Sequence, residues 1–165
     1  MNLSENFSTT KILFNKKNIY IFFIILLIFF LDRVSKIMIL ENFNENTYYI
    51  NSFVNISLTW NTGIGFGLLS FNTSLIYNSI TAVIGFVIIA LTYITFKSNN
   101  FERIIYSVII GGAIGNIYDR LTYKAVPDFI DLHYNNFHWF TFNVADIFIT
   151  IGIIVMITKE FFKKN

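Results

Sequence analysis

Two aspartates, Asp128 and Asp146, have side chains that could work together as a general acid and a general base. Neither has a basic residue close to it in sequence, apart from Lys124 four positions before Asp128. Two carboxyl groups in a poorly solvated site cannot both ionise easily, so they share a proton and titrate as a pair. One of them then accepts a proton from water while the other donates to a substrate. From spacing alone this is one interpretation among several.

The composition indicates that the elements positioning these acids lie in lipid. Hydrophobic residues make up 55% of the 165 residues, charged residues make up 13%, and the mean hydropathy is +0.59. Soluble domains usually carry about 25% charged residues, so a soluble globular protein is excluded. The net charge of +2 gives no basic excess of the kind that suggests nucleic-acid binding. Because the chain has no cysteine, disulfides and thiolate chemistry are excluded as well.

Four apolar stretches predict four transmembrane helices in an all-α membrane protein, at about residues 19–40, 75–96, 104–118 and 142–158. The first stretch follows three lysines, as the apolar part of a secretory signal peptide does. No small-residue cleavage site follows it, so we expect an uncleaved anchor. The whole chain, residues 1–165, is therefore predicted to be a single integral membrane domain.

The basic residues predict the orientation of these helices. Eight of the twelve fall on one side of the predicted helices: Lys11, Lys16, Lys17, Lys97, Arg103, Lys159, Lys163 and Lys164. Under the positive-inside rule this side is cytoplasmic, so both termini face the cytoplasm. Two segments, about 41–71 and 121–141, are left outside. The first is rich in β-branched and aromatic residues and predicts a β-rich cradle, whereas the aromatic-rich second segment predicts an interfacial loop or helix.

Polar residues converge at one depth when the four helices are threaded with alternating direction. The outer ends of the helices and the outer loops would bring these residues near the two acids: Asp32, Asn61, Asn116, Asp119 and Arg120. Carboxylates at such a depth are costly unless they pair with other groups or take part in chemistry. The cluster is therefore a candidate functional site.

Structural roles remain open for several of these residues. Asp32 and Lys36 are spaced i, i+4 and can form a salt bridge on one helix face. Asp119 can pair with Arg120 or cap the helix end. The glycines at positions 111, 112 and 115 are typical of close helix packing in membranes.

The two histidines give no sign of a metal site. His133 and His138 are five residues apart, a poor spacing for two ligands on one helix face, and no metal-binding pattern surrounds them. We expect both to be interfacial side chains, and we expect neither a metal nor a cofactor.

A run of ten residues, Gly-Gly-Ala-Ile-Gly-Asn-Ile-Tyr-Asp-Arg at 111–120, fits the motif Gly-Gly-Ala-x-Gly-Asn-x-x-Asp-Arg throughout. With this motif, the chain resembles the lipoprotein signal peptidase family, the signal peptidase II aspartyl proteases of bacterial inner membranes. Residues 126–130 and 142–146 are similar to the segments that carry the family's catalytic aspartates. Residues 32–36 and 61–66 are similar to its first-helix and loop motifs, and the resemblance covers roughly residues 20–158.

The resemblance implies an intramembrane endopeptidase that removes signal peptides from prolipoproteins, cutting before a cysteine that carries diacylglycerol. It implies that Asp128 and Asp146 are catalytic. It also implies a set of substrate-binding or supporting residues: Asp32, Lys36, Asn61, Gly63, Asn116, Asp119, Arg120 and Asn143. The implied partners are lipid-modified prolipoproteins and membrane lipid, with no nucleic acid. The implied protein is a monomer in the bacterial inner membrane, with its active site near the outer face.

The chain departs from the usual family pattern at several positions: Arg33, Ile64, Gly65, Pro127 and Phe140. None of these departures removes a polar group needed for the chemistry, so they concern pocket shape and substrate preference.

Two other classes of function also place carboxylates inside a membrane. One is a small proton-coupled transporter, although four short helices leave little room for alternating access and show no inverted repeat. The other is a structural subunit whose polar groups only join helices.

The charge asymmetry leads to a topology prediction. A reporter that is active only outside the cytoplasm, fused after Asn165, should stay inactive in cells because the C-terminus is cytoplasmic. A reporter that is active only in the cytoplasm is the matched control and should work at the same position. Activity of the first reporter would contradict the orientation.

Overall fold

Four long helices and one four-stranded sheet make up the residues that this computed structural model describes, 16–43, 47–63 and 74–163. In chain order the elements are α1 (Lys16–Asn42), β1 (Tyr48–Asn51), β2 (Val54–Asn61), α2 (Ser74–Lys97), α3 (Asn100–Tyr123), β3 (Val126–Tyr134), β4 (Phe137–Phe142) and α4 (Val144–Lys163). The four predicted helices are all present, with ends that differ from the expected ones. The prediction was furthest from the structure for α3, which is longer at both ends.

Local chemistry explains the bounds of α3. Its N-terminus is fixed by a capping box, in which the Asn99 side chain accepts from the Glu102 backbone N–H at 3.1 Å and the Glu102 side chain accepts from the Asn99 N–H at 3.3 Å. Its C-terminus is followed by Lys124 in the left-handed conformation, with φ of 59°. The polar residues beyond position 118, which ended the predicted helix, continue as helix because their side chains find partners inside the fold.

The four strands form one antiparallel sheet in the order β1-β2-β3-β4. The predicted interfacial loop or helix at 121–141 is therefore wrong, because most of this segment is strand. Its residues are β-branched and aromatic, and β3 pairs with β2 on one side and with β4 on the other. The pairing of Asp128 with Thr59 holds the first acid in a central strand.

The prediction that both histidines are interfacial is wrong for His133. These two residues face each other across β3 and β4, but His133 is buried, whereas His138 is exposed and lies 2.7 Å from a carboxylate oxygen of Asp131. Directly opposite residues lie on the same face of a sheet, so the difference comes from the strands: His133 is on the central strand β3, whereas His138 is on the edge strand β4.

Large apolar side chains cover the outside of the helices. On α2, Val83, Phe86 and Ile89 are 62%, 71% and 69% exposed. Soluble monomeric proteins rarely expose a large patch of apolar side chains. Among the described helices, one is long and apolar enough to cross a membrane by length and composition, Tyr77–Lys97, with a mean hydropathy of 2.2. The other three predicted spans stay predictions on this criterion, and α1 and α3 carry charged side chains within their length.

Helix α3 packs against α1, α2 and α4, and its glycines allow the backbones to approach closely. A Cβ atom added at Gly111 would lie 2.9 Å from Cβ of Ile28 on α1, and one added at Gly112 would lie 2.7 Å from the carbonyl oxygen of Ala145 on α4. The predicted close packing at these glycines is confirmed. It places the middle of α3 in direct contact with the first turn of α4.

This packing predicts that Gly112→Ala destabilises the protein and reduces its activity, because the added Cβ meets backbone that cannot rotate away. Overpacking of this kind typically costs about 1–3 kcal/mol. Gly85→Ala is the matched control, since its added Cβ would lie 3.4 Å from a flexible Ile117 side chain. Thermal unfolding of both variants in detergent tests this, and equal stability of the two would show that the close approach is unimportant.

Candidate active site

Asp128 lies on β3 with both carboxylate oxygens occupied by amide donors. Its Oδ2 accepts from Asn61 Nδ2 at 2.8 Å, and its Oδ1 accepts from Asn143 Nδ2 at 2.6 Å. The side chain is almost fully buried, with 1% of the residue exposed. Asn61 ends β2 and Asn143 follows β4, so the two strands flanking β3 each place one donor beside the acid.

Asp146 is held by the N-terminus of α4. Asn143 is the capping residue: its Oδ1 accepts from the Asp146 N–H at 3.0 Å, and Asp146 Oδ2 accepts from the Asn143 N–H at 3.2 Å. This reciprocal pair is a capping box with Asn and Asp in its two positions. Because Asn143 also donates to Asp128, one fully buried amide side chain contacts both acids.

The two acids line one cleft of about 300 Å³ between the sheet and the helices. The sequence-based expectation that they meet is therefore confirmed. Several of the predicted supporting residues line the same cleft: Asn61, Asn116, Arg120 and Asn143. The pKa of Asp128 is raised to about 7, first by burial and then by the negative charge of Asp146, while the two amide donors oppose this shift. Asp128 is thus able to hold or release a proton near neutral pH.

Lys36 lies at the centre of a buried charge cluster behind the cleft. Its ammonium is 2.9 Å from Asp32 Oδ2 and 2.7 Å from Asp119 Oδ2, and all three residues are fully buried. The predicted pairing of Asp32 with Lys36 is confirmed. Of the two structural roles left open for Asp119, pairing with Arg120 is not observed, because Asp119 pairs with Lys36 and Arg33. Arg120 is adjacent in sequence, but its guanidinium lies in the cleft.

The Asn116 side chain connects Lys36 to Asp146. Lys36 Nζ donates to Asn116 Oδ1 at 2.9 Å, and Asn116 Nδ2 donates to Asp146 Oδ1 at 2.8 Å. An ammonium has no acceptor, so Asn116 has to turn its oxygen to Lys36 and its N–H₂ group to Asp146. Lys36 therefore determines the orientation of a donor that stabilises the ionised form of Asp146.

Asp32 links the same cluster to the first turn of α4. Its Oδ1 accepts from the Ala145 N–H at 3.0 Å, which places a carboxylate at the N-terminus of a helix, where negative charge is stabilised. Gly115 makes room for this contact, since a Cβ added there would lie 3.0 Å from Cγ of Asp32. The glycine, the acid and the start of α4 thus form one packed unit.

Arg120 is the cationic group of the cleft and is 3% exposed. Its Nη2 donates to the carbonyl oxygen of Gly63, and its Cζ lies 5.4 Å from the centre of the Tyr77 ring. Gly63 is positioned in turn by Asn61 Oδ1, which accepts from the Gly63 N–H at 2.8 Å. Within the described ranges, Nε and Nη1 of Arg120 have no hydrogen-bond partner, so two donor nitrogens are left to bind a group in the cleft.

Reasoning from spacing missed some of the residues that shape the site. Asn143 was expected only through the family resemblance, although the spacing Asn-x-x-Asp at 143–146 is a possible capping box that could have marked it. Arg33 was noted only as a departure, yet its Nη2 donates to Asp119 at 2.7 Å. The departures at positions 64 and 65 lie outside the described residues. Pro127 is buried next to Asp128.

No group of three or more histidine, aspartate, glutamate or cysteine side chains in the described ranges could hold a metal ion. The chemistry that the described groups can provide is proton transfer between paired carboxyls and hydrogen bonding by amides and a guanidinium.

Two solved structures have a similar fold. One is described as a bacterial membrane enzyme obtained by the in meso method at 2.3 Å resolution; it is 29% identical, has a TM-score of 0.74, and the match covers 88% of this chain and 90% of that chain. The other has the same description at 1.9 Å, with 29% identity, a TM-score of 0.69, and coverage of 85% and 91%. The fold, with two carboxyl groups in one cleft, is thus that of a membrane enzyme.

The sequence comparisons identify the family. Residues 24–162 match the family described as signal peptidase (SPase) II, and the chain belongs to that family. It is 52% identical to the lipoprotein signal peptidase of Pelagibacter ubique (strain HTCC1062), over 92% of this chain and 93% of that protein. It is 41% identical to the lipoprotein signal peptidase of Anaplasma phagocytophilum (strain HZ), over 82% and 87%. The expected family is therefore confirmed, and these relatives are peptidases by name.

The raised pKa of Asp128 leads to a prediction about stability. A carboxyl whose pKa rises from 3.8 to about 7 on folding binds its proton more tightly in the folded state, so stability falls as pH increases through this interval. Asp128→Asn removes that loss. We expect the variant to gain stability relative to the wild type as pH is raised from 5 to 8, measured as thermal unfolding in detergent. Parallel pH curves for the two proteins would contradict the burial of an ionisable Asp128.

Proposed function

We propose that this protein is an aspartic-type endopeptidase that removes signal peptides from lipid-modified prolipoproteins, cutting before the lipidated cysteine. The observation that carries the proposal is the pair of acids in one cleft, Asp128 and Asp146, bridged by the Asn143 side chain. Membership of the signal peptidase II family supports the substrate class. A transporter or a structural subunit is not favoured, because the similar proteins are peptidases by name.

The two acids take different roles in the proposed reaction. Asp146 accepts N–H groups from Asn116 and Asn143 and lies in the first turn of a helix, which favours its ionised form. Asp128 is more deeply buried, with 1% of the residue exposed against 8% for Asp146, and its pKa of about 7 allows it to carry the shared proton in the proposed reaction. Asp146 is therefore the general base and Asp128 the general acid.

The proposed reaction balances within the dyad. Asp146 takes a proton from a water molecule as that water attacks the scissile carbonyl carbon, and Asp128 gives its proton to the carbonyl oxygen. In the resulting diol the C–N bond breaks, Asp146 passes its proton to the leaving nitrogen, and a diol hydroxyl returns a proton to Asp128. Both acids end in their starting protonation states.

Arg120 is proposed to bind the substrate backbone. Its Nε and Nη1 groups are buried in the cleft and have no partner among the described residues, and a peptide carbonyl oxygen would satisfy them. The third group, Nη2, stays on Gly63 and holds the guanidinium in place. This arrangement accounts for the supporting roles expected for Arg120 and Gly63.

The proposed setting is the bacterial inner membrane, with four spans and both termini in the cytoplasm. The described helices have 27, 24, 24 and 20 residues, and 20 helical residues reach about 30 Å, the thickness of the hydrocarbon core. The sheet then lies on the outer side with the cleft. All residues of the proposed site come from one chain, so we propose that a monomer is active in contact with membrane lipid.

The mechanism predicts the effect of neutralising either acid. Asp128→Asn and Asp146→Asn keep the size of each side chain and one of its two acceptor oxygens but remove the titration. Each should reduce turnover of a lipidated precursor by at least about 10²- to 10⁴-fold. The double variant should be little worse than the weaker single variant, because groups that act as a unit are not additive. The measurement is cleavage by purified protein of a precursor with and without its lipid.

Asp131→Asn is the control for these variants, because Asp131 lies on the same strand and hydrogen bonds to His138 outside the cleft. It should retain most activity. Folding of every variant is checked by thermal unfolding. Cleavage at the parent rate by a folded Asp128→Asn or Asp146→Asn variant would refute the mechanism.

A further inference from the structure

A second cavity of about 220 Å³ adjoins the cleft and shares Asp146 and Thr150 with it. We call it the side pocket; its lining residues are Phe140, Phe142, Asp146, Ile147, Thr150 and Ile151. Apart from Asp146 and Thr150 these side chains are aromatic or aliphatic. Asp146 thus stands between the cleft, which contains the amide and guanidinium groups, and a side pocket that has none of them.

The side pocket is reached from the outer surface of the helices. Ile151 is 51% exposed and Phe140 is 38% exposed, whereas Ile147 and Thr150 are half-buried behind them. The neighbouring surface of α4 is apolar as well, with Ile154 exposed by 56%. In the proposed membrane setting, the side pocket joins hydrocarbon to the immediate surroundings of Asp146.

We propose that the side pocket holds the first methylene groups of one acyl chain of the substrate's diacylglyceryl group, an inference that rests on the proposed function. The lipidated cysteine directly follows the bond to be cut, so its acyl chains begin only a few bonds from the two carboxylates. Hydrocarbon in the cleft would cover amides and a guanidinium without satisfying them, which is costly. The side pocket offers phenyl and isoleucine walls at the same carboxylate.

The side pocket would contribute by positioning the substrate rather than by adding binding affinity. An acyl chain already in a bilayer gains little affinity by moving into another apolar environment, because lipid tails are as apolar as the side chains. A chain fixed beside Asp146 instead aligns the scissile carbonyl, and a displacement of about 1 Å can cost about 100-fold in rate. Blocking the pocket should therefore reduce cleavage of long-chain substrates selectively.

The test uses two synthetic precursors of identical sequence, with dipalmitoylglyceryl or diacetylglyceryl on the cysteine, in mixed micelles. Ile151→Trp fills the side pocket. The matched control is Ile157→Trp on the same helix, which is 64% exposed and lines neither cavity. The ratio of kcat/KM for the long-chain precursor to that for the short-chain precursor should fall at least about tenfold in Ile151→Trp. It should be unchanged in the control.

The outcomes separate this inference from the proposed function. If the wild-type protein cleaves neither precursor, the proposed function fails. If it cleaves them and Ile151→Trp leaves the ratio unchanged, the proposed function stands and the acyl subsite is refuted.

A second measurement does not depend on turnover. A dipalmitoylglyceryl precursor with a diazirine on a proximal acyl methylene is bound to Asp128→Asn and photolysed, and mass spectrometry locates the adducts. We expect them on Phe142, Ile147 or Ile151. Adducts confined to cleft residues such as Ile84 would overturn the assignment. The second outcome that would overturn it uses a diazirine phospholipid in the presence of unlabelled precursor. If this phospholipid labels the side pocket as strongly as the diazirine precursor does, ordinary bilayer lipid is the occupant.

Discussion

The burial of one ammonium group, that of Lys36, is the constraint on which the rest of the structure depends. All three of its N–H donors are used, on Asp32 of its own helix and on Asn116 and Asp119 of α3. Leaving a buried charge without one of its partners costs about 3–5 kcal/mol. The ammonium therefore fixes the register of α1 against α3 and the orientation of the Asn116 amide. Through that amide it also fixes a donor to Asp146.

The distribution of charge follows from the same constraint. Arg33 and Lys36 together balance Asp32 and Asp119, so this cluster is neutral and its cations are occupied. In the part of the chain that the structure describes, no salt bridge reaches Asp128 or Asp146, whose neighbours are amides. Amide donors stabilise a carboxylate less than a cation does, which allows burial and mutual repulsion to raise the pKa of Asp128 to about 7. A separate ion-pair cluster thus leaves the acid pair free to exchange protons.

How much of this could be read from the sequence depended on the range of each interaction. The helices and the i, i+4 pair of Asp32 and Lys36 are local, and they were predicted. Asp119 pairs with Arg33 and Lys36, 86 and 83 positions away on another helix, whereas spacing could offer only the adjacent Arg120 as a possible partner. Residues 121–141 were misassigned because an aromatic-rich segment suits both an interface and a strand. The segment forms a strand because β3 pairs with β2, and this partner is too distant in sequence for a local pattern to reveal it.

The junction between the sheet and α4 explains why such different elements can hold one acid pair. Asp128 is fixed by strand pairing, Asp146 by the first turn of a helix, and a single residue, Asn143, separates β4 from α4. Its backbone N–H and Oδ1 bond to Asp146 while its Nδ2 donates to Asp128. Asp146 therefore cannot move without breaking the cap, and Asp128 cannot move without losing its hydrogen bond to the capping residue. A loop of several residues would allow the two carboxylates to drift apart. Because Asn143 alone connects β4 to α4, the position where the strand ends and the helix begins also determines the geometry of the two acids.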